Sequence, residues 1–384
     1  MSKARQIIAP EVYDNLRPYR DEEVAEVFGR IVGTPQFLLI MKYLWPEKTD
    51  GELLAIGAEI NSTHELQKRI MHPGIRRIIE NSSSGLSCSG FDQLDKDNAY
   101  VFISNHRDIF LDAGILQILL FELDIPTTEV SFGSNLLEID LFGDVGKSNK
   151  MFTAYRGEGT RKEIYDKTLN FSRYVRHTVL NENHSVWLTQ RNGRTKDGLD
   201  RTEERVLKTL NMSAERTLEG FAELNIIPMT ISYEYDPCDL LKTRELYESR
   251  DREYIKSSDE DLKSLVSGVV DFKGRIHVEL GKPLAPELDK ITAQGDSEQI
   301  KCITEILDIE INDNLKKWPV NYIAADLLND AREFSSKYNE DEKTRFEQYV
   351  NNKLDQLDGN PVELRQMFLN IYANPVLRME LQRV

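Results

Sequence analysis

Short apolar runs and segments of helical period alternate through the middle of this chain. Tyr100 to Ser104 is an apolar run of strand length, and from Asp108 onward Ile109, Leu111, Ile115, Leu116, Leu119 and Leu120 recur at helical spacing. The same reading predicts strands near 86–91, 99–104, 128–132, 151–155, 185–190, 226–234 and 274–280. Helices fit 108–122, 160–180, 203–223 and 259–270. This alternation predicts an α/β layer architecture. Residues 10 to 80 read as helical: Asp21-Glu22-Glu23 opens a segment carrying Val24, Val27, Phe28, Ile31 and Val32, with acids where the helix dipole favours them. Phe37 to Trp45, bounded by Pro35 and Pro46, suits a core helix better than an interfacial one, since it carries a single Lys. After Pro283 the pattern is helical again, over 297–316, 320–329, 340–357 and 361–382. Three regions follow: an N-terminal helical region (1–80), an α/β domain (81–290) and a C-terminal helical region (291–384). The loop Asn81-Ser82-Ser83-Ser84-Gly85 marks the first boundary.

Composition narrows the classes. The 384 residues are 40% hydrophobic and 30% charged, as in a folded soluble protein. A net charge of −16 excludes bulk electrostatic binding to nucleic acid, so any phosphate contact must come from a local basic cluster. Cys88, Cys238 and Cys302 are scattered and odd in number, and the six His show no ligand-like spacing; neither a disulfide framework nor a metal site is expected. No apolar stretch reaches the roughly 18 to 20 residues needed to span a bilayer. The expected location is cytoplasmic, with peripheral contact to the inner membrane face allowed.

The candidate chemistry starts at the junction between the strand ending at Ser104 and the helix after it. Asn105-His106-Arg107-Asp108 is a polar group there, with Asp112 one helical turn further on. A His beside a carboxylate has the parts of a general base, an imidazole that titrates near neutrality and an anion to fix its tautomer. Three further stretches stand out. Gly146-Lys147-Ser148-Asn149-Lys150 is a basic loop running into a strand that ends at Arg156. It is not a P-loop, because Leu141 occupies the position where the motif needs Gly. Ser185 to Gln190 is a strand opening into a loop that carries Arg191, Asn192, Gly193, Arg194 and Lys196, a composition suited to an anion. Ile226 to Asp236 is an apolar strand with Pro228 near its start.

In this order the four stretches resemble the four motif blocks of the glycerolipid acyltransferases, the family acting on glycerol 3-phosphate and lysophosphatidate. Asn105 to Asp112 is similar to a bacterial subgroup with a His-Arg opening, and the resemblance spans about residues 86 to 280. It implies a mixed β-sheet flanked by helices. It further implies transfer of a fatty acyl group from acyl-CoA or acyl carrier protein to a hydroxyl of a glycerol-phosphate-type acceptor in membrane lipid synthesis. Within it His106 is the general base, Asp112 its orienting carboxylate, and Arg156, Arg194 and Lys196 bind the acceptor phosphate, with no cofactor. Two departures stand. Asp112 lies six positions beyond His106 where the family has five, which keeps Asp108 as an alternative partner. Asn192 replaces the Glu that precedes Gly in the third block. These leave open a lyso-aminolipid acceptor, or a catalytically silent protein that binds lipid or acyl carrier.

Overall fold

The computed structural model describes residues 13–134, 140–155, 159–251, 254–257 and 259–381. Its centre is one seven-stranded mixed sheet in the order β1-β7-β6-β2-β5-β3-β4. The strands are β1 Gly85–Ser89, β2 Val101–Ser104, β3 Glu129–Gly133, β4 Met151–Ala154, β5 Val186–Thr189, β6 Ile226–Tyr233 and β7 Arg275–Leu280. All neighbours pair in parallel except β6 and β7, so β1 and β7 run against the other five. Every residue of the central strands β2 and β6 is buried, whereas edge strand β1 is largely exposed. Continuous apolar runs are what a strand covered on both faces requires.

The two-residue period of the strands sorts side chains between two apolar layers. Phe102, Trp187, Met229 and Ile231 face a layer shared with helix Leu111–Glu122 and with Val24, Phe28, Phe37 and Met41 of the N-terminal helices. Val101, Ile103, Val186, Leu188 and Ile226 face the other, packed with Tyr174, Val175, Leu207, Phe221, Ile303 and Leu307. Full burial of a side chain of this size is worth about 1.5–3 kcal/mol, so these layers supply most of the driving force. Helices Pro319–Asn329, Glu340–Leu354 and Pro361–Leu381 enclose a third cluster around Phe346, Phe368 and Tyr372.

Several expectations change in detail. Helix Pro35–Leu44 starts where Thr34 accepts a hydrogen bond from Phe37 N, and it buries Phe37, Met41 and Leu44. Its other face leaves Leu39, Ile40 and Tyr43 exposed, so it is only half a core helix. The segment expected as one helix over 203–223 is two, Glu204–Asn211 and Thr217–Ala222. Gly146-Lys147-Ser148 is not a loop but the end of helix Asp140–Ser148, where Ser148 Oγ donates to Asp144 O at 2.8 Å. A second helix absent from the pattern reading, Asp239–Ser249, follows β6. Among the described residues no single helix is long and apolar enough to cross a membrane.

Candidate active site

The polar junction lies at the carboxyl ends of β2, β5 and β6, the edge at which open α/β sheets place ligands. The chain leaves β2 at Ser104 and stays non-helical until Leu111. Two backbone bonds clamp this turn to the loop after β5: Gln190 N donates to Ser104 O at 2.8 Å, and Thr195 N donates to His106 O at 2.7 Å. Asn105 is wholly buried and bridges to β6, its amide donating to Ile231 O at 3.0 Å and accepting from Ile231 N at 2.8 Å.

Helix Leu111–Glu122 then brings Asp112 back to the imidazole. His106 Nδ1 is 2.9 Å from Asp112 Oδ2. The same oxygen accepts from Arg107 N at 2.6 Å and Asp108 N at 2.9 Å, while Oδ1 accepts from the Tyr233 hydroxyl at 2.9 Å. Every other partner of this carboxylate is a donor, so Nδ1 carries the ring proton and Nε2 presents its lone pair. Nε2 has no hydrogen-bond partner among the described residues. Trp187 packs edge-on against the ring at 6.2 Å between centroids, fixing its plane. The six-residue spacing brings Asp112 to the imidazole because the chain stays non-helical until Leu111.

Asp108 does something else. Its Oδ1 accepts from Phe110 N at 2.9 Å and Leu111 N at 2.7 Å, capping the helix. Its Oδ2 is buried with no hydrogen bond among the described residues. Burial first, and then repulsion by Asp112, push its pKa above the usual carboxylate range. Helix Glu260–Val270 comes so close that a Cβ on Gly268 would sit 2.0 Å from Oδ2. Only glycine permits that approach.

Behind His106 lies a buried ionic network. Arg107 pairs with Asp200 at 2.6 Å and Asp236 at 3.1 Å, and Asp236 also pairs with Lys242. Burial opposes the Arg107 charge, yet Asp200 and Asp236 outweigh it and raise its pKa. Asp200 further accepts from Thr195 Oγ1 at 2.7 Å and Asn105 Nδ2 at 3.0 Å. Asp236 N donates to Tyr372 Oη at 3.2 Å, which ties the network to the C-terminal helices.

The basic loop divides. Arg194 Nη2 donates to Ser264 Oγ at 3.0 Å, whereas its Nη1 is buried without a partner among the described residues. Burial lowers and Cys238 and Asp108 raise its pKa, with a net upward shift. It lines a cleft of about 210 Å³ with Arg244, Glu245, Tyr254 and Lys263. Asn192 and Gly193 sit exposed at the turn, where Gly193 takes φ +69°, and Arg191 Nε is buried and unpartnered among the described residues. Lys196 is ion-paired with Glu245. Arg156 lies outside the described residues. The structure thus gathers His106, Asp112, Asp108 and Arg194 at one sheet edge and ties Lys196 up with Glu245 on the wall of the Arg194 cleft. Pattern reading placed Asn105 in the junction without giving it a role, and it missed Tyr233 and Asp200, which arrive from the end of β6 and from the loop after β5.

No protein-family model matches the chain, and no curated protein sequence matches it. Among solved structures it is similar to the 1-acyl-sn-glycerophosphate (LPA) acyltransferase PlsC from Thermotoga maritima. That likeness has a TM-score of 0.37 and 13% identity, over 77% of this chain and 96% of that one.

Proposed function

We propose that the protein is an O-acyltransferase, carrying a fatty acyl group from an acyl-CoA or acyl carrier protein thioester to a hydroxyl of a glycerol-phosphate-type lipid precursor. The observation that carries this reading is the His106–Asp112 contact of 2.9 Å with Nε2 unpartnered among the described residues, at a sheet edge that Arg194 shares. His106 Nε2 takes the acceptor hydroxyl's proton as its oxygen attacks the thioester carbonyl carbon. The imidazolium that forms is held by Asp112. When the tetrahedral intermediate collapses, the C–S bond breaks and the imidazolium returns its proton to the departing thiolate. No covalent acyl-enzyme is needed. The exposed Leu39, Ile40 and Tyr43 support a peripheral contact with the membrane that holds lipid acceptors.

Arg194, with one unpartnered guanidinium nitrogen, is the cation assigned to the acceptor phosphate. A charge-assisted hydrogen bond is worth about 1.5–3 kcal/mol, and 1.4 kcal/mol is one decade in affinity. Arg194→Ala is therefore expected to raise the acceptor KM roughly tenfold or more and to leave the thioester KM unchanged. Lys196→Ala is expected to do much less, because Glu245 already holds that ammonium. Inorganic phosphate is expected to compete with the acceptor in the wild type and less in Arg194→Ala. A change confined to the thioester KM would reassign the loop to the donor.

A further inference from the structure

A cavity lies away from His106, at the opposite ends of the strands. It encloses about 700 Å³, and its wall includes Glu129, Lys150, Tyr174, His177, Glu182 and His184. Glu129 is the first residue of β3, in register with Val186 of β5. Its N–H donates to Ser185 O at 2.8 Å, which brings it beside the residue that follows His184. Helix Arg161–Leu180 reaches β5 through a tight turn in which Asn183 takes φ +55°. Glu182 N donates to His177 O at 3.2 Å and His184 N to Thr178 O at 2.9 Å, so the turn is fixed at both residues. As a result, one carboxylate oxygen of Glu129, one of Glu182 and one ring nitrogen of His184 all lie within 4.8 Å of one another.

We propose that Glu129, Glu182 and His184 bind a divalent transition-metal ion of the Zn²⁺ class, at a second site separate from the His106 centre. Proximity alone does not carry this. Glu129 is only 6% exposed; Tyr174 Oη donates to its Oε2 at 2.6 Å, and no described residue donates a hydrogen bond to its Oε1. With Oε2 held by Tyr174, Oε1 is the oxygen left to take a cation from the cavity side. Glu182 Oε1 lies 3.3 Å from His177 Nε2. Tyr174 and His177 thus lie beside the two carboxylates as outer partners, the kind of neighbour that aims metal ligands. Lys150 is the nearby competitor, but its ammonium donates to Thr127 O at 3.0 Å and makes no ion pair with Glu129 among the described residues. One imidazole nitrogen with two carboxylate oxygens suits Zn²⁺ or Mn²⁺, whereas Mg²⁺ and Ca²⁺ favour oxygen donors alone. Three protein ligands leave a coordination position open to the cavity.

The test is equilibrium dialysis of the metal-free, full-length protein against Zn²⁺ alone, with metal analysis and thermal unfolding. One equivalent is expected to bind, raising the melting temperature by roughly 2–5 °C at saturating ion. His184→Ala and Glu182→Gln change exposed side chains, so the fold is retained, and each is expected to weaken Zn²⁺ at least about tenfold. His64→Ala, elsewhere in the cavity wall, is expected to keep wild-type affinity, and excess Mg²⁺ is expected not to displace Zn²⁺. Absence of stoichiometric Zn²⁺ in the wild type overturns the proposal. So does wild-type affinity in both His184→Ala and Glu182→Gln, or loss of the ion in His64→Ala.

Discussion

Replacing Asp112 by Asn isolates the negative charge behind His106. Three N–H donors converge on Oδ2, from His106, Arg107 and Asp108, while Oδ1 meets only the Tyr233 hydroxyl. The Asn amide is therefore expected to keep its oxygen at the Oδ2 position and turn its NH₂ to the Tyr233 oxygen, which can accept. The imidazole keeps its tautomer, and what is lost is the anion that stabilises the imidazolium. Two unit charges about 4 Å apart at an effective dielectric near 20 interact by about 4 kcal/mol. With 1.36 kcal/mol to the decade, kcat is expected to fall roughly 10³-fold with the acceptor KM nearly unchanged. Turning three charge-assisted hydrogen bonds into neutral ones is expected to cost about 2 kcal/mol of stability. Asp108→Asn retains the cap through one oxygen, so its rate is expected to stay within a few-fold of wild type. The assay is single-turnover acyl transfer from a labelled thioester, run beside urea unfolding. If Asp112→Asn keeps kcat within tenfold, or Asp108→Asn loses as much, the assignment of partner and cap is wrong.

Arg107→Met leaves Asp200 and Asp236 buried without their guanidinium, and breaking such a pair is expected to cost about 3–5 kcal/mol, read as a lower urea midpoint; a loss below about 1 kcal/mol would mean that Lys242, Thr195 and Asn105 suffice. Asp108 gives a pH signature: its folded-state pKa is raised, so the native state binds the proton more tightly than the unfolded chain, and stability falls as pH rises above about 4 toward the raised value. In the wild-type-minus-Asp108→Asn difference in unfolding free energy, that downward slope is expected, and a flat or rising difference would contradict it.

Much of the frame was legible because buried parallel strands are short apolar runs. β2 and β6 are buried throughout, and β3, β4 and β5 have no exposed residue either. Boundaries were less legible where a side chain sets them. The helix after β2 starts at Leu111 and not at Asp108, because Asp108 spends its carboxylate on Phe110 N and Leu111 N. Helix Asp239–Ser249 escaped the pattern because its stability is tertiary. It opens at Cys238 in the left-handed region, and Asp239 accepts from Tyr349 and Tyr372, far along the chain. The site divides in the same way. His106, Asp108 and Asp112 are local and could be read together, though only geometry separates orienting carboxylate from cap. Tyr233 and the Glu129–His184 pair are placed by sheet register and Asp200 by the loop after β5, neither of which a linear pattern carries.

His106 Nε2 is assigned as the base in acyl transfer to a hydroxyl. The most direct test of that assignment offers labelled palmitoyl-CoA with glycerol 3-phosphate, lysophosphatidate or a lyso-aminolipid in parallel to the wild type and to His106→Ala. The wild type is expected to form a labelled ester with a phosphate-bearing acceptor. His106→Ala, matched in unfolding midpoint, is expected to be about 10²–10⁴-fold slower. No ester from the wild type with any acceptor, or a His106→Ala rate within twofold of it, would contradict the claim.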